Sequence, residues 1–114
     1  MTPFLSNSKY KICKGWEYRL IYRNGRRRAN RHFVLYYIKN NLGYSRFGIS
    51  VSRKLGGAVK RNRIKRIIRE IVRLREDARC MGVDMVIVAR GGMTGVNFKE
   101  ANEVFGTLIK YMEH

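Results

Sequence analysis

Between residues 56 and 77 the chain reads GGAVKRNRIKRIIREIVRLRED, and Ile64, Ile67, Ile68, Ile71, Val72 and Leu74 recur there at helical spacing. A helix with such a stripe must bury it, so the rest of the chain has to supply a core for it to pack on. The remaining positions are almost all cationic: Lys60, Arg61, Arg63, Lys65, Arg66, Arg69, Arg73 and Arg75, with Glu70 the only acid before Glu76. Like charges four residues apart, as in Arg61/Lys65 and Lys65/Arg69, disfavour the isolated helix, so the compensating charge is expected from outside the chain. The alternative is a solvated helix face, but such faces ordinarily mix signs. Gly56 and Gly57 allow a sharp turn and a close backbone approach, and free N–H groups there suit a phosphate, although a Gly pair by itself more often marks only a turn.

The whole chain repeats this imbalance: 25 Lys and Arg against 8 Asp and Glu give a formal net charge of +17 over 114 residues. A polyanion is the expected partner. Stable binding to an acidic membrane needs an apolar helix face or a lipid anchor as well, and neither is evident. No apolar run approaches the ~18 residues of a membrane span, and MTPFLSNSKYKICKG is too polar for a secretory segment, so a cytoplasmic protein is expected. Cys13 and Cys80 are far apart and form no C-x-x-C pair, which predicts two free thiols, and His32 and His114 have no neighbouring ligands at metal-binding spacing.

The length allows a single domain over residues 1–114, and there is no internal repeat or Gly/Ser linker to divide it. Residues 1–10 read as a loosely held N-terminal arm. A short helix is expected over 14–24, stopped by Gly25, with Tyr18 and Tyr22 on one face and Trp16 and Leu20 on another. Residues 32–39 (HFVLYYIK) form a strand that enters a hairpin through Asn40-Asn41-Leu42-Gly43. The return strand, 45–53, alternates: Phe47, Ile49 and Val51 to a buried face, and Arg46, Gly48, Ser50 and Ser52 to an open one. Residues 84–89 (DMVIVA) suit a strand buried on both sides. A closing helix runs from 98 to about 112, with an Asn97/Glu100 capping box and the stripe Phe98, Ala101, Phe105, Leu108, Ile109 and Met112.

Aromatic residues beside an open β-face and a basic helix suit unpaired RNA bases better than duplex DNA, since no helix-turn-helix or zinc-finger pattern is present. Tyr18, Tyr22, Tyr36 and Tyr37 are the stacking candidates, and for each of them core packing is the competing assignment.

The stretch RKLGGAVKRNRIKRIIRE over residues 53–70, with its Arg61-Asn62-Arg63 core, resembles the signature of the protein subunit of bacterial ribonuclease P. The resemblance extends through ANRHFVLYYI, SRFGISVSRK and DMVIVAR and covers roughly residues 11–112. It implies an α+β fold: a two-layer α/β sandwich in the order αββαβα, with or without an extra short strand, and a mixed sheet with a left-handed βαβ crossover through the basic helix. It further implies that a large RNA is the catalyst, removing the 5′ leader of precursor tRNA with Mg²⁺ held mainly by that RNA and its substrate. The protein partners would then be ribonuclease P RNA and precursor tRNA, with no membrane and no obligate protein partner. Residue by residue, Lys54, Arg61, Asn62, Arg63 and Arg66 would lie against the catalytic RNA. Tyr18, Tyr22 and Tyr36, with Lys65 and Arg69, would line the leader cleft. Gly57 stands where the family commonly has Asn or Lys, and the run Arg26-Arg27-Arg28 is heavier than the family pattern and suits an extra phosphate contact.

Two other functions compete. A ribosomal or RNA-assembly protein with no role in cleavage has the same composition, and only the Arg-Asn-Arg stretch in its context argues against it. An autonomous nuclease is disfavoured because Glu17, Glu70, Glu76, Asp77, Asp84, Glu100, Glu103 and Glu113 form no obvious two-metal set and there is no His pair, so no catalytic residue is assigned to the polypeptide.

Overall fold

The computed structural model describes residues 8–112; the first seven residues of the expected arm, and His114, lie outside them. Ser8–Tyr10 forms one helical turn, and Lys11 then bridges Phe47 in parallel, with the Ile12 N–H donating to the Phe47 carbonyl at 3.0 Å. Helix α1 (Gly15–Asn24) stops at Gly25, whose N–H donates to the Ile21 carbonyl at 2.8 Å. A Cβ at Gly25 would stand 2.5 Å from that carbonyl oxygen and 2.8 Å from the Tyr37 carbonyl oxygen, so the close approach needs glycine. Strand β1 (Arg26–Ala29) follows and pairs antiparallel with β2 (Phe33–Lys39). The Asn30 side-chain oxygen closes the turn between them, accepting from the N–H groups of His32 and Phe33 at 2.9 and 2.8 Å. This β1 is the extra short strand, and it carries the triple-arginine run.

Then come β3 (Arg46–Ser50), α2 (Ala58–Leu74), the short α3 (Glu76–Arg79), β4 (Val83–Ala89) and α4 (Phe98–Lys110). The sheet order is β1-β2-β4-β3, with β4 antiparallel to β2 and parallel to β3. This corrects the expected hairpin: β2 and β3 do not pair, because β4 lies between them. The reason is burial. Most of β4 is apolar toward both faces and gains from a central place, whereas β3 presents Arg46, Gly48 and Ser50 on one side and is better placed at an edge. Asn40, at the start of the would-be hairpin turn, instead anchors to β4, donating to the Asp84 carboxylate at 2.9 Å.

One face of the sheet carries the main core. Phe33, Leu35, Tyr37, Phe47, Met85 and Ile87 pack there against Ile64, Ile68, Ile71 and Val72 of α2 and Ala101 and Phe105 of α4. Phe33 meets Phe105 edge-on with ring centres 5.6 Å apart. Tyr37 is thereby removed from the stacking candidates: it is core. Leu74 also departs from expectation, since it is exposed; α2 ends at that residue, and the following turn brings Ala78 into the core in its place. At α4 the Asn97 side chain caps the Glu100 N–H at 2.9 Å, but the Glu100 carboxylate reaches His32 Nε2, at 3.2 Å, so the cap is completed across the fold and not within the turn.

The opposite face carries a smaller cluster, Ile12, Ile21 and Val86, with Tyr18, Tyr36, Ile38 and Val88 around it. Helix α1 covers only part of this face. It is held by Arg46, whose guanidinium contacts Glu17 of α1 at 2.9 Å and Asp84 of β4 at 2.5 Å. The face expected to be open at Gly48 is in fact closed by Tyr18, whose ring and hydroxyl occupy the space a Cβ would need. Gly48→Ala should therefore cost about 1–3 kcal/mol in urea denaturation, because Tyr18 must move. Gly91→Ala, where nothing lies within 4 Å of the new methyl, should stay within about 0.5 kcal/mol.

Candidate nucleic-acid interface

Helix α2 divides its residues sharply. Ile68, Ile71 and Val72 are 0% exposed, while Asn62, Arg63, Arg66 and Arg69 are exposed and Arg61 and Lys65 are half-buried. Helical geometry puts Arg61, Lys65 and Arg69 in one row along a flank of the buried stripe, and Asn62, Arg66 and Arg73 in a row facing away from it. Arg73 is neutralised by Glu70 one turn before it, and each shifts the other toward its charged form. Among the described residues, no carboxylate pairs with Lys60, Arg61, Arg63, Lys65, Arg66 or Arg69. The Arg61 Nε is also buried without a hydrogen-bond partner among them.

The approach to α2 adds to this surface. Arg53–Leu55 forms a turn in which the Ser52 hydroxyl accepts from the Lys54 N–H at 3.2 Å, leaving the Lys54 side chain exposed. Gly56 has φ +137°, a conformation that L side chains rarely adopt, and Gly57 begins the helix without any side-chain cap. The first N–H groups of α2 therefore face outward with a concentration of positive charge around them.

On the α1 side of the sheet three of the four candidate tyrosines come together. Tyr22 meets Tyr36 edge-on, with ring centres 4.9 Å apart and planes at 87°, and Tyr18 lies 6.4 Å from Tyr22. Tyr18 is fixed by its hydroxyl, which donates to the Ile12 carbonyl at 3.3 Å, and by its seat on Gly48. Tyr22 is 42% exposed and its hydroxyl is within hydrogen-bond reach of Ser50. Burial raises the pKa of both Tyr18 and Tyr22, with mutual repulsion adding at Tyr18 and Ser50 partly offsetting it at Tyr22. Both phenols thus stay neutral beside a polyanion over a wider pH range than free tyrosine. Lys65 and Arg69 are not on this face, since the α2 stripe packs on the other side of the sheet.

Sequence reasoning passed over Arg46, Glu17 and Asp84, the ion-paired set that holds α1 against the sheet. A signal was present: Asp84 is an acid at the head of an otherwise apolar strand, which calls for a cationic partner. Ser50 was placed on the correct face but not linked to Tyr22. The described carboxylates are dispersed and largely engaged with Arg46, Arg73, Arg75 and His32, and no three of His, Cys, Asp and Glu among the described residues gather into a metal-binding group. No helix among the described residues is long and apolar enough to cross a membrane.

Comparison with known proteins agrees with this geometry. The family described as Ribonuclease P matches residues 7–113. A ribonuclease P protein component of Lachnoclostridium phytofermentans is 46% identical over 90 residues, covering 79% of this chain and 78% of that one. The solved structure of the Staphylococcus aureus RNase P protein superposes with a TM-score of 0.81 at 35% identity, covering 89% of this chain and 93% of that one. The RNase P protein from Thermotoga maritima gives 0.83 at 33% identity, covering 91% and 98%. With its sheet order, its cationic helix and these likenesses together, the chain belongs to the ribonuclease P protein family, the protein component of a ribonucleoprotein endonuclease of tRNA processing.

Proposed function

We propose that the chain uses two surfaces in this role: α2 and its approach bind the catalytic RNA, and the α1 side of the sheet binds the single-stranded 5′ leader of precursor tRNA. The observation that carries the first is that Lys60, Arg61, Arg63, Lys65, Arg66 and Arg69 of α2 meet no carboxylate among the described residues, while Ile64, Ile68, Ile71 and Val72 of the same helix are buried. Lys54, Arg61, Asn62, Arg63 and Arg66 supply phosphate contacts, and the four cations among them, but not the neutral Asn62, displace condensed counterions. Tyr18, Tyr22 and Tyr36 form a neutral aromatic platform on which leader bases stack with little sequence preference. Lys65 and Arg69, on the flank of α2, meet the leader backbone where it passes the β3 edge. The polypeptide contributes binding and orientation, and the hydrolytic step belongs to the RNA, with Mg²⁺ held by the RNA and substrate. The site of action is the cytoplasm.

Protein freed of all RNA should not cleave precursor tRNA, and adding ribonuclease P RNA should give cleavage at lower Mg²⁺ than that RNA requires alone; cleavage by the RNA-free protein would reject this division of labour. Arg61→Ala or Arg63→Ala should weaken binding to the catalytic RNA and reduce the log–log salt slope by roughly one unit per lost phosphate contact, as read from titrations across a salt series. Tyr22→Ala should weaken holoenzyme binding to precursor tRNA by about 1–3 kcal/mol, with mature tRNA nearly unaffected and Tyr22→Phe near neutral. Equal weakening for both tRNAs, or a large fall in Tm of the free variant, would return Tyr22 to a packing role.

A further inference from the structure

One strongly charged strand edge, which adjoins the tyrosine face, is assigned to neither of these. At the sheet edge opposite β3, the outermost strand is β1, and it borders a 420 Å³ recess lined by Arg26, Arg27, Arg28, Tyr37 and Tyr111. The strand register sets Arg26 level with Tyr37 and Arg28 level with Leu35, on the α2/α4 side, while Arg27 is level with Tyr36 on the α1 side. Arginines therefore flank the edge on both sides. Tyr37, 4% exposed, is the floor of the recess, and Tyr111, just past α4, stands 61% exposed with the Lys110 ammonium 5.9 Å from its ring centre. Among the described residues no carboxylate pairs with Arg27, Arg28 or Lys110.

Charge alone has a bland explanation, because charged edge strands resist pairing with other sheets. That does not account for an exposed ring set among cations over a recess. Planar guanidinium groups make two-point contacts with phosphate oxygens, and an exposed aromatic ring stacks on an unpaired base. We propose that this edge is a further RNA site, in which Arg27 and Arg28 grip the phosphodiester backbone of an RNA segment and Tyr111 stacks on one of its unpaired bases. The proposal extends, and rests on, the RNA-binding role argued above. With strands ~4.8 Å apart, the β1 and β3 edges are separated by about 14 Å, so an RNA bound along α2 and a segment at β1 hold the protein from both edges. The phosphodiester belongs either to the catalytic RNA or to precursor tRNA.

The test uses the assembled holoenzyme with Arg27→Gln/Arg28→Gln and Tyr111→Ala variants, measuring protein affinity for ribonuclease P RNA and holoenzyme affinity for precursor tRNA across a salt series. If the backbone is that of the catalytic RNA, the double variant lowers the salt slope of the protein–RNA step by between about one and two units; if it is that of precursor tRNA, the same drop appears in the substrate step. Tyr111→Ala weakens the same step by about 5- to 150-fold, the loss expected for one stacked base, and Tyr111→Phe restores it. Lysine at positions 27 and 28 keeps the slope, which separates lost phosphate contacts from a damaged fold. Arg61→Ala serves as the internal reference. If it weakens RNA binding while the edge variants leave both steps unchanged, the β1 site is overturned and the α2 surface stands. If Arg61→Ala and the edge variants are all silent, both fall.

Discussion

Burial of β4 on both faces is the constraint around which the molecule is arranged. Met85 and Ile87 point into the α2/α4 core and Val86 into the α1 cluster, all at 0% exposure. Each such side chain contributes about 1.5–3 kcal/mol relative to an exposed one, so β4 is stable only where strands flank it on both sides and helices cover both faces. Its place between β2 and β3 satisfies this and sends β3 to one edge and β1 to the other. The sites follow from that placement. Helix α2 leaves from the β3 edge, the triple arginine occupies the β1 edge, and the half-covered face between them holds the tyrosines.

The second organising interaction is the Arg46 clamp. Asp84 is an acid on a buried strand, with its side chain 11% exposed, and its charge is tolerable because Arg46 and Asn40 both reach it. Removing one partner of such a pair ordinarily costs about 3–5 kcal/mol, since the remaining charge stays buried. Arg46 also reaches Glu17, so the same guanidinium that satisfies β4 fixes α1, and its pKa is pushed upward by hydrogen bonding to Asp84 and then Glu17. Tyr18 follows Glu17 in sequence. Its position over Gly48, and with it the orientation of the aromatic group, is thus tied to an ion pair in the fold and not to any RNA.

The distribution of charge makes physical sense only with a polyanion present. The acids mostly serve internal pairings with Arg46, Arg73, Arg75 and His32, while the cations at the start and middle of α2 and on β1 outnumber any available partners among the described residues. Free in solution, such a surface costs self-repulsion and lowers the stability of the compact state. Bound RNA removes that cost, so part of what binding gains is relief of strain already present in the free protein.

Much of this was legible in the residues. The isoleucine stripe of α2, the Gly25 stop, the Asn97 cap and the doubly buried character of residues 84–89 are local patterns, fixed by helical or strand period and by which side chains tolerate water. The imbalance of charge, and its concentration on one helix, likewise needed only the order of residues. What the tertiary structure decided was everything that depends on partners distant in the chain. Local turn chemistry at 40–43 argued for a hairpin, yet pairing with β4 buries more apolar surface than pairing β2 with β3, so the strands part. Four tyrosines looked alike, and strand register alone turned Tyr37 into the core and Tyr36 toward Tyr22. Period and composition act through neighbours along the chain and can be read there; the choice among competing pairings is made by burial summed over the whole fold, and no single segment contains that sum.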